Sequence, residues 1–381
     1  MGLLIALVIL AFFIVFHELG HFIVARACGV QVEVFSLGFG KKILSFEFKG
    51  TRYAISAIPL GGYVQLKGQQ EAFIESKDSH ISSSHNSSVL SNAASAQAAP
   101  NTQADTQAHS HDSFLAKSPL QRIAILLAGS GFNFLLGFLL YVCVCLYGVV
   151  SVPSIVGEVV DSMSAQAAGI LPGDRILSVN GVQIRTWEEL AKAVQDCTGV
   201  ISLYLQRGDS HTEITLTPKL IESHNIFGES TTYNVIGITA SQQTQIVRYT
   251  RLEALTKAWE KTIESSKLIL QSLQKLISGV VSVQHISSVV GITHMMASYA
   301  QSDIVALLAL SALISINLGI FNLLPIPPLD GGHILFTLYE SLTHKKPNER
   351  IANAIVIIGV ALLLGLMSLG VYNDINRIIA P

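Results

Sequence analysis

Apolar residues gather along this chain in four long runs, separated by stretches of very different character. Residues 3–25, 122–150, 303–324 and 351–372 are each long enough to cross a bilayer, since a spanning helix needs about 20 apolar residues. Between the first two runs the period changes. The segments VQVEVFSLGFG, ILSFEFKG and YAISAIPLGGYVQL in residues 30–67 alternate and carry glycines at 38, 40, 61 and 62. That pattern predicts hairpin strands with tight turns or bulges. The stretch is apolar enough to lie against a membrane or dip into it, where non-helical backbone must be covered by protein or line a wet cavity. Residues 68–116 give up nearly all large apolar side chains for Ser, Ala, Gln, Asn and His, the composition of a disordered linker. Residues 153–220 have soluble patterning, and residues 250–279 place Arg251, Glu253, Lys257, Glu260 and Lys261 on a helical period. The second of these predicts an amphipathic helix suited to an interface. The fold class is a polytopic α-helical membrane protein with four transmembrane helices, a membrane-associated β-hairpin region and one separate α+β domain.

Polar residues inside those runs carry the chemistry. The first run reads AFFIVFHELGHFIVARACG and holds His17, Glu18 and His21. Ionisable groups inside a membrane segment are costly and mark functional sites by default. H-E-x-x-H on a helix puts two imidazoles one turn apart on one face, and the glutamate beside them can work on a metal-bound water. Two histidines leave a third protein ligand to be found. Asp330 is the candidate: it follows Pro325, Pro327 and Pro328 and precedes Gly331 and Gly332, so the helix cannot continue regularly beside it. His333 is a weaker alternative ligand. Asn317 and Asn322 lie in the same run, as interhelical glue or as donors to a substrate backbone. His80, His85, His109 and His111 in the linker show no recurring ligand spacing.

Composition sharpens this picture. The 381 residues are 50% hydrophobic and 13% charged, far from the soluble norm. A net charge of −2 gives no reason to expect nucleic acid. Cys28, Cys143, Cys145 and Cys197 form no C-x-x-C pair and read as free thiols. The first run lacks a basic lead-in and is expected to be retained as a span rather than cleaved. Arg26, Lys41, Lys42, Lys49, Arg52, Lys67, Lys77 and Lys117 between spans one and two, with Lys345, Lys346 and Arg350 between spans three and four, put those loops in the cytoplasm. Both termini and residues 151–302 then lie outside, with His17, His21 and Asp330 at matching depth towards the cytoplasmic side.

With these residues in hand, the chain resembles the site-2 protease family of intramembrane zinc metalloproteases, in its bacterial RseP-type group. The matching pieces are FHELGHFIVARACGVQVEVFSLGFG, IPLGGYVQLKG, KSPLQRIAILLAGSGFNF, VVGITHM and SINLGIFNLLPIPPLDGGHILF, in that order. The resemblance implies that His17, His21 and Asp330 hold Zn2+, that Glu18 is general base and acid, and that Asn322 helps hold unwound substrate. It implies that the 38–64 hairpin re-enters the membrane and pairs with substrate as an added strand. The partners implied are single-span transmembrane proteins, such as anti-sigma factors or signal-peptide remnants, in the inner membrane and after a first-site cut. Residues 151–220, with AAGILPGDRILSVNGVQI at 167–184, resemble one extracytoplasmic PDZ domain. The family usually has Gly-Pro where this chain has Gly129-Ser130, and again at Ser288-Val289, departures expected to affect only local turns away from the metal ligands.

On this reading the chain divides into 1–29 (first span), 30–67 (hairpin region), 68–116 (cytoplasmic insert) and 117–150 (second span). There follow 151–240 (PDZ-like domain and following strand), 241–302 (amphipathic helical region), 303–333 (third span) and 334–381 (cytoplasmic loop and fourth span). A zinc transporter would also place His, Glu and Asp in spans, but no matching ligands lie towards the outer side. A PDZ-bearing scaffold with a dead site is the third reading, and an intact Glu18 argues against it.

Overall fold

A computed structural model describes residues 2–69, 110–225, 227–285, 287–345 and 347–379. The chain begins with α1 (Gly2–Ala27), β1 (Val32–Phe48), β2 (Thr51–Leu66) and α2 (Pro119–Tyr147). It continues through β3 (Val149–Ser151), β4 (Val156–Val159), α3 (Ser164–Ala167), β5 (Arg175–Val179), β6 (Val182–Gln183) and α4 (Trp187–Gln195). Next come β7 (Ile201–Arg207), β8 (Ser210–Leu216), β9 (Lys219–His224), β10 (Ser230–Val235), β11 (Ile238–Ala240) and β12 (Gln245–Val247). The last described elements are α5 (Arg251–Ile277), α6 (Val289–Ser302), α7 (Ile304–Asn322), α8 (Asp330–Thr343) and α9 (Glu349–Ile379). They form two compact units: residues 1–140 with 262–269 and 284–381, and residues 141–261 with 270–283.

Among the described residues, four helices are long and apolar enough to cross a membrane: Gly2–Ala27, Pro119–Tyr147, Ile304–Asn322 and Arg350–Arg377. The second ends before the apolar run does. Gly148 takes φ +118°, and Val149–Ser151 leave the helix to pair with Gln245–Val247. The stretch expected as a loop after residue 333 is largely helix α8.

In the first unit, α1, α2, α6 and α7 share a core of Ala6, Phe13, Leu136, Met296, Leu307 and Ile314. The region expected to be amphipathic therefore includes a helix, α6, that buries Thr293 and Met296. The α6 N-terminus is held by Asp374 of α9, whose Oδ2 accepts from Ser288 N at 2.7 Å, Ser288 Oγ at 2.6 Å and Gly291 N at 2.9 Å. Ser288 is the N-cap and Val289 the first helical residue, a position that also tolerates proline.

The three predicted strand segments merge into two long, bent strands with the expected bulges. Residues 34–37 lie between residues 52–55 on one side and residues 62–65 on the other, and residues 44–48 pair with 51–55. The order across this sheet is therefore 44–48, 51–55, 34–37, 62–66, with bulges where the strands bend. Gly38 and Gly40 take φ +89° and +88° at the bend of β1, the conformation that favours glycine. Val32 and Leu66 bury against Ala25, Ile125 and Leu126 of the helices. Ile43, Leu44, Phe46 and Phe48 on the outer strand stay exposed.

The expected linker at 68–116 lies mostly outside the described residues, but its ends do not. Gln31 N donates to Asp112 O at 2.9 Å, Lys67 N to Gln31 O at 3.0 Å, and Phe114 N to Lys67 O at 2.8 Å. Lys67 Nζ pairs with Asp112 at 2.9 Å. Phe114 is fully buried, with the Arg122 guanidinium 5.9 Å from its ring centroid. Arg122 in turn pairs with Glu340 of α8 at 2.6 Å. Residues 110–116 thus belong to the folded unit, because one aromatic and one acid anchor a polar stretch whose average composition hides them.

The second unit has the α+β character expected of residues 151–240. Its main sheet runs β6-β5-β7-β8 and is antiparallel, with β4 paired to β11 apart from it. Ile176, Ile201, Leu203 and Leu205 from the sheet bury with Leu190 and Val194 of α4. Asn180 and Gly181 take φ +48° and +81° and close β5 on β6, an Asn-Gly pair suited to a tight hairpin turn. Buried Asp174 accepts from Arg207 Nε at 2.8 Å, Arg207 Nη2 at 2.7 Å and Leu171 N at 2.9 Å. Burial raises its pKa, but the guanidinium and the amide lower it by more, so it stays below the usual aspartate value.

Two outcomes follow. Replacing residues 70–109 by a short Gly-Ser linker should leave the melting temperature of the detergent-purified protein nearly unchanged, whereas Phe114→Ala should cost about 3–5 kcal/mol; equal melting of Phe114→Ala and parent would contradict the anchored ends. The Asp174 contribution is fully present above the unfolded pKa of about 3.9 and is lost as pH falls through the folded value. Asp174→Asn should therefore lower stability at pH 7 and flatten the acid limb of a stability-versus-pH curve, and an unchanged limb would refute this.

Candidate metal centre

The site begins with the close approach of α1 and α2. A Cβ on Gly20 of α1 would lie 2.9 Å from Phe132 Cγ and run into the Ala128 backbone. A Cβ on Gly129 of α2 would lie 2.6 Å from His17 Nε2 and closer still to His21 Nε2. Small residues at both positions let the backbones meet, as they do between membrane helices generally. Gly129-Ser130 is therefore no turn, and it does touch the ligand pair. It sits inside α2, where Ser130 keeps the backbone N–H that a proline would remove.

On α1, His17 and His21 are four residues apart and both buried, at 8% and 9% exposure. Their Nε2 atoms are 3.2 Å from each other. The third group arrives from α8. The chain leaves α7 at Asn322, reverses through a proline-rich turn and starts α8 at Asp330. A Cβ on Gly331 would run into the carbonyls of Leu323 and Leu324, and one on Gly332 would lie 2.7 Å from the Pro327 ring. Paired glycines let the first turn of α8 press onto the end of α7 and bring Asp330 back to the histidines. Asp330 Oδ2 is 3.1 Å from His17 Nε2 and 3.3 Å from His21 Nε2.

These three atoms form a nearly equilateral triangle. Ligands held at about 2.0–2.1 Å in a tetrahedral array stand about 3.3–3.4 Å apart, so the donor set and its spacing fit zinc with one position left open. Among the described residues this is the one group of three or more His, Cys, Asp or Glu side chains whose ligand atoms all converge. His333 lies outside it. All four cysteines are free thiols, Cys143 exposed and Cys145 buried on different sides of α2.

Around the triangle, His21 Nδ1 donates to Ile125 O at 2.8 Å. That bond leaves Nε2 as the lone-pair nitrogen facing the site. His17 Nδ1 lies 3.2 Å from Asn133 Nδ2 and 3.5 Å from Asn322 Nδ2. Asn322 thus reaches the back of a histidine. Asn133 is a polar residue in an apolar span, and that was the signal available for it in the sequence. The backbone carbonyl of Ile125 gave none. Glu18 is half-buried, with His17, His21 and Asp330 as its titratable neighbours and the Val64 N–H turned to its carboxylate. A Cβ on Gly62 would lie 3.4 Å from Glu18 Cγ, so the 62–66 strand passes directly over this residue.

The sequence profile of Peptidase family M50 matches residues 5–366. A zinc metalloprotease homologue of Campylobacter jejuni is 38% identical over 373 residues, covering 97% of this chain and 92% of that one. The regulator of sigma-W protease RasP of Bacillus subtilis is 29% identical, covering 98% of this chain and 97% of its own. Among solved structures, the PDZ domain of an SdrC-like protein of Listeria monocytogenes covers 23% of this chain and 87% of that domain at 18% identity and TM-score 0.18. That last likeness adds nothing to the strand order already described. The chain belongs to peptidase family M50, the site-2 protease family of zinc metalloproteases.

Proposed function

We propose that this chain hydrolyses peptide bonds within transmembrane segments of single-span membrane proteins, with zinc held by His17, His21 and Asp330. The observation that carries the reading is the triangle of Nε2, Nε2 and Oδ2 atoms at 3.1–3.3 Å beside Glu18, on a helix apolar enough to span a bilayer. Zinc, when bound, supplies Lewis acidity towards water and the scissile carbonyl. Glu18 takes a proton from the attacking water on its carboxylate and delivers it to the leaving amide nitrogen. As the carbon–oxygen bond forms and the carbon–nitrogen bond breaks, the accessible amide of Asn322 binds the substrate backbone.

A helical substrate has its backbone groups paired along its own axis and must be opened before water can reach a carbonyl. Strand addition to the hairpin region replaces the helix hydrogen bonds that opening removes. The 62–66 strand supports this role: it pairs on one side with residues 32–37 and passes over Glu18. The exposed Ile43, Leu44, Phe46 and Phe48 suit a hairpin region that lies in the membrane. The Lys and Arg distribution favours a multi-pass inner-membrane protein with both termini and the PDZ-like domain outside. The relative RasP carries sigma-W regulation in its name, which favours anti-sigma factors as the substrate class, cut after an earlier protease has trimmed them.

Glu18→Ala should keep its zinc and lose cleavage of a single-span substrate by about 100-fold or more, the usual worth of a positioned base. His17→Ala, His21→Ala and Asp330→Ala should lose zinc as well as activity. Zinc content by metal analysis and cleavage in detergent or nanodiscs check both, and an Asp330→Ala protein that binds and cuts like the parent would contradict the assignment.

A further inference from the structure

The α2 residues facing the histidines recur every fourth position. Ile125 offers its carbonyl to His21, Gly129 makes room for both rings, and Asn133 meets His17. Residues four apart share one face of a helix, so one stripe of α2 backs the pair that α1 presents at the same spacing. The height of Asn133 is fixed independently, because Ser315 Oγ of α7 donates to its backbone carbonyl at 2.8 Å.

The side chain of Asn133 is 1% exposed, whereas Asn322 is only partly buried. A neutral imidazole that ligates a metal through Nε2 carries its proton on Nδ1, which then needs an acceptor. Two amide Nδ2 groups point at that nitrogen, at 3.2 and 3.5 Å, so donors face a donor. Asn133 Oδ1, meanwhile, is buried with no hydrogen-bond partner among the described residues. The two ends of an asparagine amide have the same shape, and hydrogen bonding decides which is oxygen. A half-turn of the Asn133 amide brings Oδ1 to His17 Nδ1 and gives the orphaned acceptor its donor.

We infer that Asn133 is the positioning residue for His17: its side-chain oxygen accepts from Nδ1–H, setting tautomer and ring orientation, while Asn322 keeps its amide for substrate. The inference rests on the zinc reading above. It is tested on the full-length protein in nanodiscs by competing zinc against a chelator. Asn133→Leu, which has neither donor nor acceptor, should weaken zinc binding by about 10–100-fold. Asn133→Asp, which keeps the acceptor, should stay within about threefold of the parent, and Asn322→Leu should bind zinc like the parent.

Parent-like zinc affinity in Asn133→Leu would overturn the inference alone, and so would an equal loss in Asn133→Asp and Asn133→Leu. A parent protein without zinc affinity would overturn the zinc reading as well. Should the Leu variant not fold, nitrogen-15 histidine spectra of the zinc-loaded parent decide, with His17 assigned from a His17→Gln sample. A protonated Nδ1 on His17 is expected, and a bare Nδ1 would refute the assignment.

Discussion

Polar groups in hydrocarbon stay only where something else satisfies them. That constraint governs this protein. His17, Glu18 and His21 sit on a helix apolar enough to cross a membrane, so neighbours must supply their partners. The close contact of α1 with α2 makes that possible. Gly20 and Gly129 remove the side chains that would hold the helices apart, and the Ile125 carbonyl and the Asn133 amide then fall within reach of the two imidazoles. A methyl group at Gly129 would occupy the space between the rings and displace the site itself.

The third partner depends on a different device. Asp330 belongs to no spanning helix, and it reaches the histidines because the chain reverses sharply after Asn322. Gly331 and Gly332 let that reversal pack without clash against the end of α7. The same reversal leaves Asn322 at the rim of the centre, half-buried and close to His17. On the opposite side, the hairpin region brings its 62–66 strand over Glu18, again at a glycine. Three elements from distant parts of the sequence therefore meet at one point, each through a residue too small to obstruct the others.

Sequence pattern exposed the parts of this centre that are made of side chains at fixed spacing. H-E-x-x-H declared the helix face, and the proline and glycine cluster declared the aspartate. Groups that act through the backbone left no trace: no residue type announces that Ile125 will lend its carbonyl. Gly129 was visible but misread as part of a turn, because its role comes from a neighbouring helix and not from its own φ. Local composition misled twice more. Residues 110–116 look like linker until Phe114 is seen buried under Arg122, and the glycines before His333 mask the start of α8. The α+β domain was legible because the stretch that marks it, residues 167–184, is local and continuous.

On the proposed function, two imidazoles and one carboxylate, and no thiolate, hold the metal. X-ray absorption at the zinc edge of the purified protein tests it most directly. Nitrogen and oxygen scatterers at about 2.0–2.1 Å are expected, with the outer-shell signature of two imidazole rings. A sulfur shell at about 2.3 Å, or the signature of three or more imidazoles, would contradict it.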